Sequence, residues 1–400
     1  MATAAAHVLD DQIPSREELV RRARAMLPAL KARQSEAYAA RRLPAETMRE
    51  MIDAGFFRIL QPKRYGGYEM DPQVFFDVQM TVAEACMSTA WVLGVVGCHP
   101  YQLALFDDRA QQEVWGNNPD TLVSSSYQPV GKVEVVEGGF RLSGRWGFSS
   151  GSEYCDWVLL GSLIFPESGP PEMRTFLLPR KDYKIVDNWH TFGLQATGSQ
   201  DIVVENAFIP EYRTHKATDG FNCTNPGQAV NTGPLYKLPW AQVFVRSVST
   251  GCIGGVQGAL NAFVDIGKKR VSTNTGKATR QDGNAIQAAA RTQSAIDEMK
   301  AVLYRNFDEM MDTMRSGGEL TLEQRIRYRY QSSQVGRRCA DLIDDLMPLL
   351  GGRAIYTDSP IIRYWLDTNA ARAHVANDPN LIGASLGGMY MGEQPQDTFV

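Results

Sequence analysis

The apolar positions of this chain change period twice. From Ser15 to about Gly116 they recur at three- and four-residue steps, as on one face of a helix. In 44–57 these are Met48, Met51, Ile52 and Phe56, with Gly55 near the end. A longer run extends from Asp71 to His99, followed by Leu103, Leu105 and Phe106. Ser15 followed by Glu18 has the spacing of a capping box. Near Asp120 the period shortens. Segments 132–137 and 140–143 flank Gly138-Gly139, a hairpin signal, and 157–165, 174–178, 183–186 and 201–208 are short β-rich runs between turn residues. Such spacing predicts a small barrel or sandwich rather than a βαβ sheet. The polar segment 220–233, rich in Gly, Asn and Thr, reads as a loop. From about Pro239 the helical period returns over 243–264, 285–315 and 322–350, enough chain for a bundle. The pattern thus predicts an α+β chain of three units: helical over 1–118, β over 119–228, and a helical bundle over 229–400.

Composition mainly excludes. Of 400 residues, 44% are hydrophobic and 22% charged, as in a soluble globular protein. With 41 basic against 45 acidic residues the net charge is −4, which offers no basic face for nucleic acid. The six cysteines form no CxxC pair, a usage that suits free thiols in a reducing cytoplasm. The N-terminus reads as no secretory signal, and apolar stretches such as 90–98 are too short to span a membrane.

Four constellations carry possible chemistry. Residues 144–151, GRWGFSSG, follow a strand and set Ser149 and Ser150 beside Trp146 and Phe148. A flat heteroaromatic cofactor needs such walls and hydroxyls, though a Gly/Ser turn with core aromatics reads the same way. Ser124, Ser125 and Ser126 offer three hydroxyls to a ring edge or a phenol, or to their own backbone. The five histidines, His7, His99, His190, His215 and His374, have no metal-ligand spacing, so no metal site is expected. His99 ends an apolar run. His374 stands in a helix-like stretch four residues before Asp378, a spacing that gives a plain helix contact or a carboxylate tuning an imidazole. Finally, Gly251, Gly254, Gly255 and Gly258 form GxxGGxxG in a helical context, which fails the dinucleotide fingerprint and points to close helix packing.

Together these pieces resemble a known family. LLGGRAIYTDSPIIRYWLDTNA (349–370), with its glycine pair Gly351-Gly352, is similar to the C-terminal flavin segment of acyl-CoA dehydrogenases. GRWGFSSG resembles their barrel motif, in which the hydroxyl matching Ser149 bonds flavin N5. The stretch from Lys269-Arg270 to Gly276 resembles the segment whose arginine reaches the cofactor phosphate across a subunit interface. A branch of that fold matches more closely. STAWVLGVVGCH, YQLALFDDRAQQEVWG, SSSYQP, AFIPEYR, YKLPW, HVANDPN and the terminal DTFV resemble the oxygenase components of p-hydroxyphenylacetate hydroxylase and phenolic secosteroid hydroxylase, from about Leu43 to Val400.

The resemblance implies an N-terminal helical domain, a central β-barrel and a C-terminal four-helix bundle, assembled as a homotetramer. It implies a separate NAD(P)H:flavin reductase that delivers reduced FMN, with FADH2 as the other possibility. Reaction with O2 would give a C4a-hydroperoxyflavin that hydroxylates a small aromatic substrate ortho to a phenol. Trp91, Ser124–Ser126, Phe148, Ser149, Ser150, Arg270, Gly351 and Gly352 would line the flavin. His99 and His374, with Ser149 and Asp378, would face the chemistry. We assign His99 to substrate activation, as a base of pKa near ~6.5 for a phenol of pKa near ~10, and His374 to the flavin-bound peroxide, though the two roles could be exchanged. Two departures narrow the reading. Val375 stands where acyl-CoA dehydrogenases often carry their base glutamate, which argues against acyl-CoA oxidation, the alternative activity. Ala241 stands where hydroxyphenylacetate-type members place an arginine for the substrate carboxylate, so a larger or more apolar phenol is expected. A flavin-binding assembly protein without chemistry is the non-enzymatic alternative.

Overall fold

The computed structural model describes residues 13–166, 168–274, 276–395 and 399–400. His7 lies outside them. Five helices come first: α1 (Arg16–Ala40), α2 (Ala45–Asp53), α3 (Pro72–Ala83), α4 (Met87–Leu103) and α5 (Asp108–Trp115). Ser15 caps α1 by accepting from the Glu18 N–H at 3.2 Å, while the Glu18 carboxylate turns to Arg21 and Arg22, so only half of the expected capping box forms. The single apolar run expected over 71–99 is two helices. Cys86 takes extended backbone (φ −152°), and α4 packs back on α3. Periodicity hides this break because both helices are buried nearly all round; Trp91 alone in α4 is partly exposed.

The β unit holds eight strands: β1 (Val123–Ser126), β2 (Lys132–Val136), β3 (Gly139–Ser149), β4 (Trp157–Ile164), β5 (Glu172–Pro179), β6 (Lys184–Val186), β7 (Gln200–Pro210) and β8 (Thr214–Lys216). They form two four-stranded sheets, β1-β4-β5-β8 and β2-β3-β7-β6, antiparallel except for β1 beside β4. The β2–β3 hairpin turns at Gly138, whose φ of +76° suits glycine. Leu142, Trp146 and Ile202 of one sheet meet Val158, Leu160 and Phe176 of the other in a common core.

Eight helices follow: α6 (Ala217–Asn222), α7 (Trp240–Ser247), α8 (Thr250–Lys269), α9 (Gly283–Arg315), α10 (Leu322–Ser333), α11 (Val335–Leu346), α12 (Ile362–Ala371) and α13 (Pro379–Tyr390). The expected loop over 220–233 is partly helical, since α6 ends in it and a 3-10 turn, Pro226–Ala229, has a full capping box from Asn225 and Gln228. Helices of the two ends of the chain share one core. A Cβ on Gly254 would lie 2.0 Å from the Met80 carbonyl oxygen, and one on Gly255 2.4 Å from Met87 Sδ. The glycine run therefore does let α8 lie against α3 and the start of α4. No helix among the described residues is long and apolar enough to cross a membrane, and all six cysteines are free thiols.

Candidate active site

Where β1 and the end of β3 meet α4, the structure gathers most of the polar residues singled out above. Gly151, just past β3, lies so close to α4 that a Cβ there would sit 2.9 Å from Val92 Cγ1. On the β1 side, His99 Nδ1 lies 2.5 Å from the Val123 carbonyl oxygen. A bulge re-aims the end of β3: its register on β7 shifts between Trp146 and Ser149, and Phe148 takes a φ of +65°. That left-handed residue turns Ser149 and Ser150 inward while Phe148 itself is 63% exposed, edge-on to Trp189. Phe148, expected among the lining residues, thus stands with its ring exposed beside the buried serines.

The three serines of β1 do not act as one row. Strand alternation puts Ser124 and Ser126 on one face, both buried, and Ser125 on the other. Ser124 Oγ, Ser149 Oγ, Ser152 Oγ and His99 Nε2 are all buried and make no hydrogen bond. Each buried polar atom without a partner costs about 1–3 kcal/mol. Four of them around one junction fit a polar heteroaromatic ring such as isoalloxazine.

The two histidines present opposite faces. A carbonyl only accepts, so the His99 proton sits on Nδ1 toward Val123 and Nε2 keeps a bare lone pair. Burial lowers the His99 pKa to about 4, the Val123 bond opposing it. The expected free-imidazole base near ~6.5 is thus corrected: His99 is neutral and weakly basic. His374 is the reverse. Its Nδ1 accepts the Ala376 N–H at 3.1 Å, which puts its proton on Nε2. Desolvation, with Arg329 nearby, lowers its pKa to about 4 as well.

Helical spacing does not join His374 to Asp378. His374 caps the 3-10 turn Val375–Asn377, and Asp378 caps α13 by accepting from the Asn380 N–H at 2.9 Å. The expected helix over this stretch is two consecutive caps, and the Asp378 carboxylate is engaged with α13 rather than with the imidazole. Val375 is 79% exposed on the same turn, so the dehydrogenase base position carries neither a carboxylate nor an inward aim.

Aromatic rings close the site. Trp91 stands edge-on to His374 at 5.8 Å. Trp240 and Phe244, one helical turn apart on α7, stack at 5.1 Å; Tyr127 meets both edge-on, and Phe399 packs against both. The Tyr127 ring also faces His99 at 6.3 Å, and its hydroxyl turns away to donate to Gln102. Sequence reading missed Tyr127 and Phe244 as site residues. The four-residue spacing of Trp240 and Phe244 was the available signal.

Arg270, Gly351 and Gly352 form a second, separate corner. Arg270 Nη1 donates to Thr279 Oγ1 at 2.8 Å, and Nη2 lies 2.6 Å from where a Cβ of Gly351 would be. Gly351 holds a φ of +67° there. Among the described residues, the Arg270 side chain bonds Thr279 and the Leu349 carbonyl rather than any residue of the His99 cluster. His190 lies at an Arg41 contact and His215 bonds Asn225, both outside the cluster.

Residues 14–117 match the acyl-CoA dehydrogenase N-terminal domain and residues 247–379 the acyl-CoA dehydrogenase C-terminal domain. The chain is 37% identical to the flavin-dependent monooxygenase oxygenase subunit HsaA of Rhodococcus jostii, over 94% of this chain and 99% of that protein. It is 30% identical to the oxygenase component of p-hydroxyphenylacetate 3-hydroxylase of Acinetobacter baumannii, over 94% of this chain and 89% of that one. Its fold superposes on the crystal structure of the 3-HSA hydroxylase of Rhodococcus sp. RHA1 with a TM-score of 0.92 at 36% identity, covering 96% of this chain and 100% of the other. With these matches running nearly end to end, the chain belongs to the oxygenase subunits of flavin-dependent monooxygenases, built on the acyl-CoA dehydrogenase fold.

Proposed function

We propose that this protein is the oxygenase component of a two-component monooxygenase that hydroxylates a phenol ortho to its hydroxyl, using O2 and reduced FMN handed over in the cytoplasm by a separate NAD(P)H:flavin reductase. The observation that carries this reading is the opposed polarity of His99 and His374 beside unpaired buried hydroxyls. Reduced flavin supplies the two electrons that let one oxygen atom of O2 enter the ring and the other leave as water.

The protein's own groups do the rest. His99 Nε2 accepts the phenol hydroxyl. A full proton transfer in the resting complex would be uphill by on the order of 8 kcal/mol, the gap between pKa ~10 and about 4. His99 therefore works as an acceptor that takes the proton as the ring is attacked and its acidity rises. His374 offers Nε2–H as a donor to oxygen on the opposite side, and Asp378 contributes by fixing the turn that carries it. Ser149, with Trp91 and Ser124, would hold the flavin ring, its unpaired hydroxyl free to bond it. Tyr127, Trp240, Phe244 and Phe399 exclude water, which protects an oxygen-reactive cofactor from wasteful release of peroxide. The buried Ala241 beside Trp240 offers no charge to a carboxylate, which supports a phenol larger or more apolar than a hydroxyphenyl acid. Arg270 and the Gly351-Gly352 backbone would hold a flavin phosphate, that of a neighbouring subunit's cofactor in the homotetramer the resemblance implies.

The test is reconstitution with a flavin reductase, NADH, FMN and a panel of phenols with and without carboxylates. A catechol formed only when both proteins are present, and favoured for the carboxylate-free phenols, is the expected result. Flavin oxidation that yields hydrogen peroxide alone, with every phenol, would refute the assignment.

A further inference from the structure

Arg325 of α10 is tied to both halves of the aromatic wall. It is buried, and its guanidinium lies over the Phe221 ring, 4.3 Å from the centroid. Nε and Nη2 donate to the Val400 main-chain oxygen at 3.1 and 2.5 Å, and Nη2 donates also to the Phe221 carbonyl at 2.7 Å. A buried charged donor holds such acceptors firmly, because no water is at hand to replace them. Val400 itself is fully buried, among Ile326 of α10 and Ile382 and Leu386 of α13. The residue before it is turned elsewhere. Phe399 is 36% exposed, and its ring stands edge-on to Trp240 at 5.1 Å and to Phe244 at 6.2 Å.

The main chain of the same arginine fixes the other half of the wall. The Arg325 carbonyl accepts from Gln242 Nε2 at 3.0 Å, and Gln242 is buried. Gln242 lies two residues from both Trp240 and Phe244, so it leaves α7 on the opposite side from them. Those two rings, one turn apart, share the face turned to Tyr127. One residue of α10 therefore sets α7 through its carbonyl and Val400 through its side chain.

We infer that Arg325 is a positioning residue that seats Phe399 as a wall of the phenol pocket, and that the seated ring decides how bulky an apolar phenol the enzyme accepts. This rests on the phenol reading above. Trp240 and Phe244 belong to a helix and cannot yield without moving α7. Phe399 takes its place from Val400, which the guanidinium anchors. Removing the anchor or removing the ring opens the same gap. A bulky substituent fills that gap, and a small one leaves it empty.

The experiment reconstitutes the full-length protein with a flavin reductase, NADH and FMN, and measures kcat/KM for catechol formation from para-ethylphenol and para-cyclohexylphenol. It compares wild type, Phe399→Ala, Arg325→Met and the double variant, with denaturant melts to confirm folding. Each single variant should shift the ratio toward the bulkier phenol roughly tenfold. The double variant should shift it no further, since both changes empty one place. The dissociation constant for reduced FMN, read by anaerobic fluorescence titration, should stay unchanged, which a general loosening of the fold would not allow. Arg325→Lys keeps a charged donor and should give an intermediate shift that disappears in the Phe399→Ala background; it carries the comparison if Arg325→Met does not fold. Additive shifts, or no shift in a folded Arg325 variant, would overturn the inference. A wild type that converts neither phenol and yields only peroxide would instead overturn the phenol reading itself.

Discussion

The His99 cluster and the Arg270 corner are both candidate cofactor contacts, yet they are built on different principles. The cluster draws on α4, β1, the end of β3, α7 and the turn at His374. Its key atoms are buried, and its hydrogens are fixed by backbone carbonyls and amides. The corner is an arginine held by one threonine and the Leu349 carbonyl over a left-handed glycine, partly open to solvent. Chemistry on a ring needs donors and acceptors with known polarity and no water. A phosphate needs only charge and N–H groups, which act well at an accessible edge. One end of the site can therefore be complete within a chain while the other is free to serve a neighbour.

Breaking the two regions should separate rate from affinity. His99→Ala should lower catechol formation about a hundredfold while reduced flavin is still bound and oxidised, as read by product and peroxide yields in single turnovers. Parallel loss of binding and hydroxylation would mean the cluster is not specialised as described. The pH response is the next largest effect. His99 has a folded pKa of about 4 against ~6.5 unfolded, so between those values the unfolded chain takes up the proton and the native one does not. Stability is full above ~6.5 and falls as pH drops toward 4, by up to about 3 kcal/mol from this group; urea midpoints across that window test it, and His99→Gln should flatten the slope. Arg270→Ala should weaken FMN binding about tenfold and leave the catechol-to-peroxide ratio unchanged at saturating flavin. The smallest effect belongs to the Asp378 cap: Asp378→Ala should cost about 1 kcal/mol of stability, seen in denaturant melts, and lower hydroxylation only slightly by loosening the His374 turn, far less than expected of a residue paired to the imidazole.

Much of this contrast was legible before any coordinates. The change of period separated helices from strands, and the ordered motifs brought together His99, His374 and the serines. What escaped the sequence depended on local geometry. The expected His374–Asp378 pair assumed a helix, whereas a turn with two caps carries both residues. Phe148 was placed in the lining by resemblance, and the sequence carries no sign of the bulge that leaves its ring exposed beside Trp189. The break between α3 and α4 was invisible because helices buried on every side have no polar stripe to lose register.

The central claim is that an oxygen atom from O2 reaches a phenol held by His99. Turnover under 18O2 with the reductase, FMN and a carboxylate-free phenol, followed by mass spectrometry of the product, tests it most directly. One 18O atom per catechol in the wild type, with label lost to peroxide in His99→Ala, is the predicted result. Catechol oxygen drawn from water, or no labelled catechol beside abundant labelled peroxide in the wild type, would contradict it.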